Sequence, residues 1–195
     1  MGPSGCGKST LLHLLGGIDR PTTGRLVVDG QDLTALDEEG LTHFRRARVG
    51  FVFQFYNLLP TLTALGNVEL PLIALGLPRR QRRTMAGEVL KRVGLGDRLD
   101  HKPGELSGGE QQRVAIARAI VAERRLLLAD EPTGDLDSQA AAQVVDILHR
   151  LNRDLGLTVV LVTHDPVVGA AGARRIILKD GLIVADERNG RLGGG

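Results

Sequence analysis

Residues 126–137 read LLLADEPTGDLD, and residues 158–163 read TVVLVT. Both open on short, uninterrupted apolar runs, the form taken by strands buried on both faces of a parallel sheet. Between them, Val144, Ile147, Leu148, Leu151 and Leu155 recur at helical spacing, and Ser138 supplies a residue that opens the helix. Strand, helix and strand in that order form a parallel crossover unit, whose connection is right-handed. An α/β fold with a mostly parallel sheet core follows, and such sheets bind ligands at the carboxyl ends of their strands.

Outward from this unit, RIILKDGLIVAD (residues 175–186) reads as a hairpin around Asp180 and Gly181, and residues 190–195 as a flexible tail. Toward the N-terminus, EEGLTHFRRARVGFVFQ (38–54) reads as a short helix running into a strand. Phe51, Phe53 and Phe55 alternate there, so they share one face, and that stripe is expected in the core. GRLVVDGQDL (24–33) reads as a strand closed by an Asp29-Gly30 turn, and STLLHLLGGI (9–18) as a helix ended by Gly16 and Gly17. From about residue 58 to 106 the chain becomes Leu-rich and helical, broken by Pro60, Pro71, Pro78 and Pro103, which suggests an inserted helical subdomain. With 195 residues and no internal repeat, a single domain over residues 1–195 is expected.

The 25 Lys and Arg against 23 Asp and Glu leave a net charge of +2, too small to argue for nucleic acid. Arg79, Arg80, Arg82 and Arg83 do cluster. A solvated helix face is the plain reading, and contact with anionic lipid headgroups the alternative. A single-strand platform would interleave aromatics with such a cluster, and none lies nearby. The lone Cys6 allows no internal disulfide and fits a reducing compartment. The histidines show no spacing suited to a zinc site. No stretch approaches the roughly 18 apolar residues of a membrane span, so any membrane role has to be borrowed from a partner.

Three stretches carry chemistry. The opening MGPSGCGKST places Gly2, Gly7, Lys8 and Ser9 in the spacing of a phosphate loop. Its glycines let successive N–H groups curl around phosphate oxygens, Lys8 can reach the outer phosphates, and Ser9 can ligate magnesium. LSGGEQQRVAIARA (106–119) starts with Ser107 and Glu110 at the spacing of a capping box. A capping box leaves Gly108 and Gly109 unexplained, since both cost helix stability, and a second phosphate-facing helix start accounts for them. Finally, Asp130 ends a strand where it can hold magnesium through its water shell, and Glu131 follows, placed to orient or deprotonate a water. Two surface acids at a strand end are the plainer alternative for that pair taken alone. His164 ends the next strand; taken alone such a histidine is structural as readily as functional, and beside the other motifs it is placed to sense phosphate.

Together these stretches resemble the nucleotide-binding subunit of an ABC transporter: Walker A over residues 2–10, the glutamine loop at Gln54, the LSGGEQ signature over 106–111, and Walker B over 126–130. The likeness continues through Glu131, the D-loop around Asp137 and the switch histidine His164. It implies a P-loop NTPase fold of ABC type and an ATPase using ATP and magnesium. Catalysis would then rest on Glu131, His164 and Lys8. Nucleotide contacts would come from Gly2, Pro3, Ser4, Gly5, Cys6, Gly7, Lys8, Ser9, Thr10, Gln54, Ser107, Gly108, Gly109 and Asp137. Magnesium would be held by Ser9, Gln54 and Asp130. The resemblance also implies two such subunits facing head to tail, most simply a homodimer, with a transmembrane permease as partner and a peripheral position on the cytoplasmic side of the cell membrane. Residues 50–72 and 130–138 look like the subgroup serving lipoprotein release and macrolide efflux.

Family members carry several strands and an adenine-stacking aromatic before Walker A. Because none precedes Met1, an N-terminally truncated chain is expected, through a late start codon or as a fragment. Two other functions stay open at this point: a soluble ABC-type ATPase acting on ribosomes or DNA, and a catalytically silent fragment.

Overall fold

Leu127 and Leu128 are fully shielded from solvent, yet they point to opposite sides of the middle strand of a parallel sheet. In the computed structural model, which describes residues 1–3 and 5–189, that strand is β4 (Leu126–Asp130), and β3 (Val49–Val52) and β5 (Thr158–Val162) flank it. Leu127 pairs in register with Gly50 on one side and Val159 on the other. Ser4 and residues 190–195, including the expected tail, lie outside the described residues.

The two-residue period of β4 sorts the core into two halves. Leu127 and Ala129 join Val52 and the helices α3 (Ala64–Ala74), α4 (Arg79–Arg92), α5 (Gly108–Ile120) and α6 (Ser138–Leu155). Leu126 and Leu128 instead join Leu12 of α1 (Lys8–Leu15) and Leu41 and Phe44 of α2 (Glu38–Arg48). Helices therefore cover both faces of the sheet, as a parallel sheet requires. Each fully buried leucine contributes about 1.5–3 kcal/mol by leaving water.

Two small antiparallel sheets complete the described fold. In the first, β1 (Val27–Val28) pairs with β2 (Gln31–Asp32), so the segment expected as one strand is a hairpin. Asp29 and Gly30 both take positive φ, at 49° and 75°, the two-residue turn that matches strand twist. In the second, β6 (Arg174–Lys179) pairs with β7 (Leu182–Arg188) around Asp180 and Gly181. Short α7 (Pro166–Ala170) precedes this hairpin. The Met1 amino group donates to the Ile176 carbonyl and the Leu178 N–H to the Met1 carbonyl, both at 2.7 Å, so the first residues run along β6.

Several expectations are corrected. The phenylalanine stripe is not core: β3 ends at Val52, the alternation stops with it, and Phe55 is 73% exposed. Phe51 and Phe53 stay half-buried and stack at 5.7 Å, while the buried aromatic is Phe44. Helix α6 is capped by Asp137, whose carboxylate accepts from the Ala140 N–H at 2.8 Å, and Ser138 is already its first helical residue. Leu155 lies at the helix end, 48% exposed, beyond the reach of the sheet that buries Val144, Ile147, Leu148 and Leu151. Strand β5 is only half-buried over Val159, Val160 and Leu161, because among the described residues it has a strand on one side alone. Pro71 sits inside α3 rather than breaking it, at the cost of the N–H bond to the carbonyl four residues back.

Candidate nucleotide site

The opening loop bends through glycines. Gly7 precedes α1 with φ 94°, a left-handed conformation that a side chain resists, and no side chain caps the helix. Its first N–H groups are thus left for an outside anion. At Gly2, a Cβ would lie 2.2 Å from the Leu178 carbonyl oxygen and 2.6 Å from Cys6 Sγ, so only glycine fits against β6. Cys6 is buried, and its carbonyl accepts from the Gly181 N–H at 3.2 Å, which seats the loop on the β6–β7 turn.

Lys8 is only 7% exposed, and its Nζ donates to the carbonyls of Gly2 and Pro3 at 2.8 and 2.9 Å. No carboxylate pairs with it among the described residues, so the loop holds its cation through weak dipoles that an anion can outbid.

At the next residue of α1, Ser9 Oγ donates to Asp130 Oδ1 at 3.1 Å. This brings together a hydroxyl and a carboxylate, both hard oxygen donors of the kind magnesium takes, and the residues present fit that ion. Glu131 comes next, with φ 45° in a non-glycine residue, a strained turn held by its N–H donating to the Val162 carbonyl at 2.9 Å and its carbonyl accepting from the Gly134 N–H at 3.0 Å. Its Oε1 lies 3.0 Å from His164 Nδ1. A carboxylate only accepts, so in this contact the Nδ1 carries the proton.

Gln54 does not reach the Ser9–Asp130 pair by any hydrogen bond among the described residues. Its Nε2 donates to Asp135 Oδ1 at 3.1 Å. Asp137 is engaged as the α6 cap.

The signature stretch forms the full capping box. Ser107 Oγ accepts from the Glu110 N–H at 3.3 Å, and Glu110 Oε2 accepts from the Ser107 N–H at 2.8 Å. That bond to the Ser107 N–H is the main reason the Glu110 carboxyl lies below its usual range. Both glycines have neighbours within the chain: a Cβ on Gly108 would come 2.8 Å from the Tyr56 hydroxyl, and one on Gly109 would come 3.0 Å from Ala140 Cβ. Packing within the chain thus favours small residues there. No hydrogen bond joins residues 107–109 to the opening loop among the described residues.

Two residues that tie the site together were missed by motif reading. Gln112, fully buried, donates from Nε2 to the Pro132 carbonyl at 2.6 Å and links α5 to the loop after Glu131. Its spacing from Ile116 and Ala119 puts it on the buried stripe of α5, where a lone amide stands out. Arg118 donates to the carbonyls of Tyr56 and Asn57 and holds the segment after Gln54, burial lowering its pKa. Burial, with Asp135 second, raises the pKa of Tyr56 in the same segment.

Residues 1–134 match the family model described as ABC transporter. The chain is 54% identical over 190 residues, 97% of its length, to the macrolide export ATP-binding/permease protein MacB 1/2 of Paracoccus denitrificans, of which it spans 28%. It is 52% identical over 186 residues to the lipoprotein-releasing system ATP-binding protein LolD of Geobacter metallireducens, covering 95% of this chain and 83% of that protein. Among solved structures, the ATP-binding cassette MJ0796, a dimer in a post-hydrolysis state bound to ADP and Pi, aligns with a TM-score of 0.87 at 48% identity, over 96% of this chain and 83% of that one.

Proposed function

The chain belongs to the ABC transporter family of ATP-binding domains, and from that premise we propose that it binds and hydrolyses magnesium ATP to drive a transmembrane permease. The observation that carries this reading is the contact of Ser9 with Asp130, 121 residues apart, directly beside the Glu131–His164 pair. Phosphate loop, cation ligands and candidate base converge at the carboxyl end of β4.

The chemistry follows from the groups present. The bare N–H groups at the start of α1 and the left-handed glycines cradle the phosphates, and Lys8 exchanges the Gly2 and Pro3 carbonyls for the outer phosphate oxygens. Magnesium, when bound by Ser9, Asp130 and Gln54, neutralises phosphate charge. Glu131 accepts the proton of the attacking water on its carboxylate, while the His164 Nδ1 bonded to that carboxylate at 3.0 Å holds its orientation.

Assembly completes the site. A second copy sits head to tail, its Ser107, Gly108 and Gly109 closing over the nucleotide held by residues 2–10. Among the described residues no helix is long and apolar enough to cross a membrane, and the chain is placed at the cytoplasmic face by its permease. The helical segment 58–106, with Gln54 at its border, transmits nucleotide state to that partner. The permease is of the kind that serves macrolide export or lipoprotein release, the activities named for the relatives.

Phosphate release with ATP tests the reading. The parent chain turns over, and Glu131→Gln binds ATP while losing about 10²–10⁴ in rate. Undiminished turnover by Glu131→Gln removes the proposed base.

A further inference from the structure

We propose that Asp135 is a positioning residue that sets the direction of the Gln54 amide and so decides which end of that amide is presented to the nucleotide's cation. This rests on the reading of Gln54 as a magnesium ligand. Gln54 follows β3 and Asp135 follows β4, and their side chains meet at 3.1 Å, Nε2 donating to Oδ1. An amide has a donor end and an acceptor end, and an ionised carboxylate can only accept. The NH₂ end of Gln54 therefore has to face Asp135, which leaves Oε1 as the free end. Among the described residues Oε1 accepts no hydrogen bond. Only that oxygen can bind a hard cation.

The amide is held on a second side. A Cβ on Gly134 would come 3.1 Å from Gln54 Nε2 and 3.2 Å from its Cδ, so the amide lies against bare glycine backbone. The same Gly134 donates its N–H to the Glu131 carbonyl, and the buried Gln112 holds the Pro132 carbonyl between them. Asp135 is thus carried on the loop that sets Glu131. Outer partners of this kind fix the orientation of a metal ligand and typically tune metal affinity by 10- to 100-fold. Asp135 is exposed, so the lower end of that range applies.

Manganese in place of magnesium gives a direct readout. Free Mn²⁺ is titrated by electron paramagnetic resonance against the whole chain with a non-hydrolysable ATP analogue, and analogue affinity is measured separately in EDTA. Asp135→Ala is expected to weaken Mn²⁺ binding about tenfold with affinity in EDTA unchanged. Asp135→Asn retains an accepting oxygen and restores most of the loss. Asp135→Lys can only donate, turns the amide end for end, and binds Mn²⁺ no better than Asp135→Ala. Gly134→Ala, which crowds the amide, also weakens Mn²⁺ binding. Parental Mn²⁺ affinity in Asp135→Ala or Asp135→Lys, or an equal loss in EDTA, overturns the proposal. Gln54→Ala and Ser9→Ala separate the two readings. If both leave Mn²⁺ binding at the parental level, the cation site itself is wrong; if both weaken it and Asp135→Ala does not, only the positioning role fails.

Discussion

Ser9 Oγ lies 3.1 Å from Asp130 Oδ1, joining the first turn of α1 to the last residue of the sheet's middle strand. A hydroxyl and a carboxylate this close suit a hard cation, and under the proposed reading both ligate it. Ser9→Ala is expected to leave ATP binding in EDTA unchanged and to abolish most of the gain that magnesium brings. Calorimetric titration with and without magnesium measures both, and an intact magnesium gain in Ser9→Ala excludes this residue as a ligand.

Lys8 acts earlier. Its ammonium is aimed into its own loop by two carbonyls, and phosphate oxygens are the stronger partner. Lys8→Ala removes a hydrogen bond to a charged group, about 1.5–3 kcal/mol, and so weakens ATP binding roughly ten- to a hundredfold. Equilibrium binding reports it; parental affinity would mean that the loop does not grip nucleotide through this cation.

The core makes a separate prediction. Leu127 is wholly buried at the sheet centre, whereas Leu155 is half-exposed at the end of α6. Leu127→Ala should cost about 2–5 kcal/mol. Leu155→Ala should stay within about 0.5 kcal/mol, as surface changes do. Urea unfolding of the two variants decides, and a comparable loss in both would place Leu155 in the core after all.

Acid should loosen the start of α5. The Glu110 carboxyl is depressed, first by the Ser107 N–H that it accepts from. A carboxyl with a folded pKa below its unfolded value contributes stability that is full above the unfolded value and is lost as pH falls through the folded one. Glu110→Gln removes this dependence. Melting temperatures of parent and variant should therefore differ at pH 7 and converge below the ordinary glutamate range, and a constant gap across that range would assign the difference to another cause.

The amino-acid sequence by itself determined what neighbours along the chain can encode. An uninterrupted apolar run identified β4 as a strand buried on both faces, helical spacing marked α6, and the Asp180-Gly181 pair marked the β6–β7 turn. The phosphate loop, the capping box at Ser107 and Glu110, and the acids at the end of β4 were legible for the same reason, since each motif spans only a few residues. Tertiary structure alone decided the rest. That Gln54 meets Asp135, that Gln112 holds the Pro132 carbonyl, and that Ser9 meets Asp130 are consequences of how separate segments cross, and no local period records them. The phenylalanine stripe shows the limit from the other side: alternation from Phe51 to Phe55 describes a face only while the strand lasts, and β3 ends at Val52. Where an element stops, and which surface then covers it, depends on partners far along the chain, because burial is a property of packed elements and not of the segment that carries the pattern.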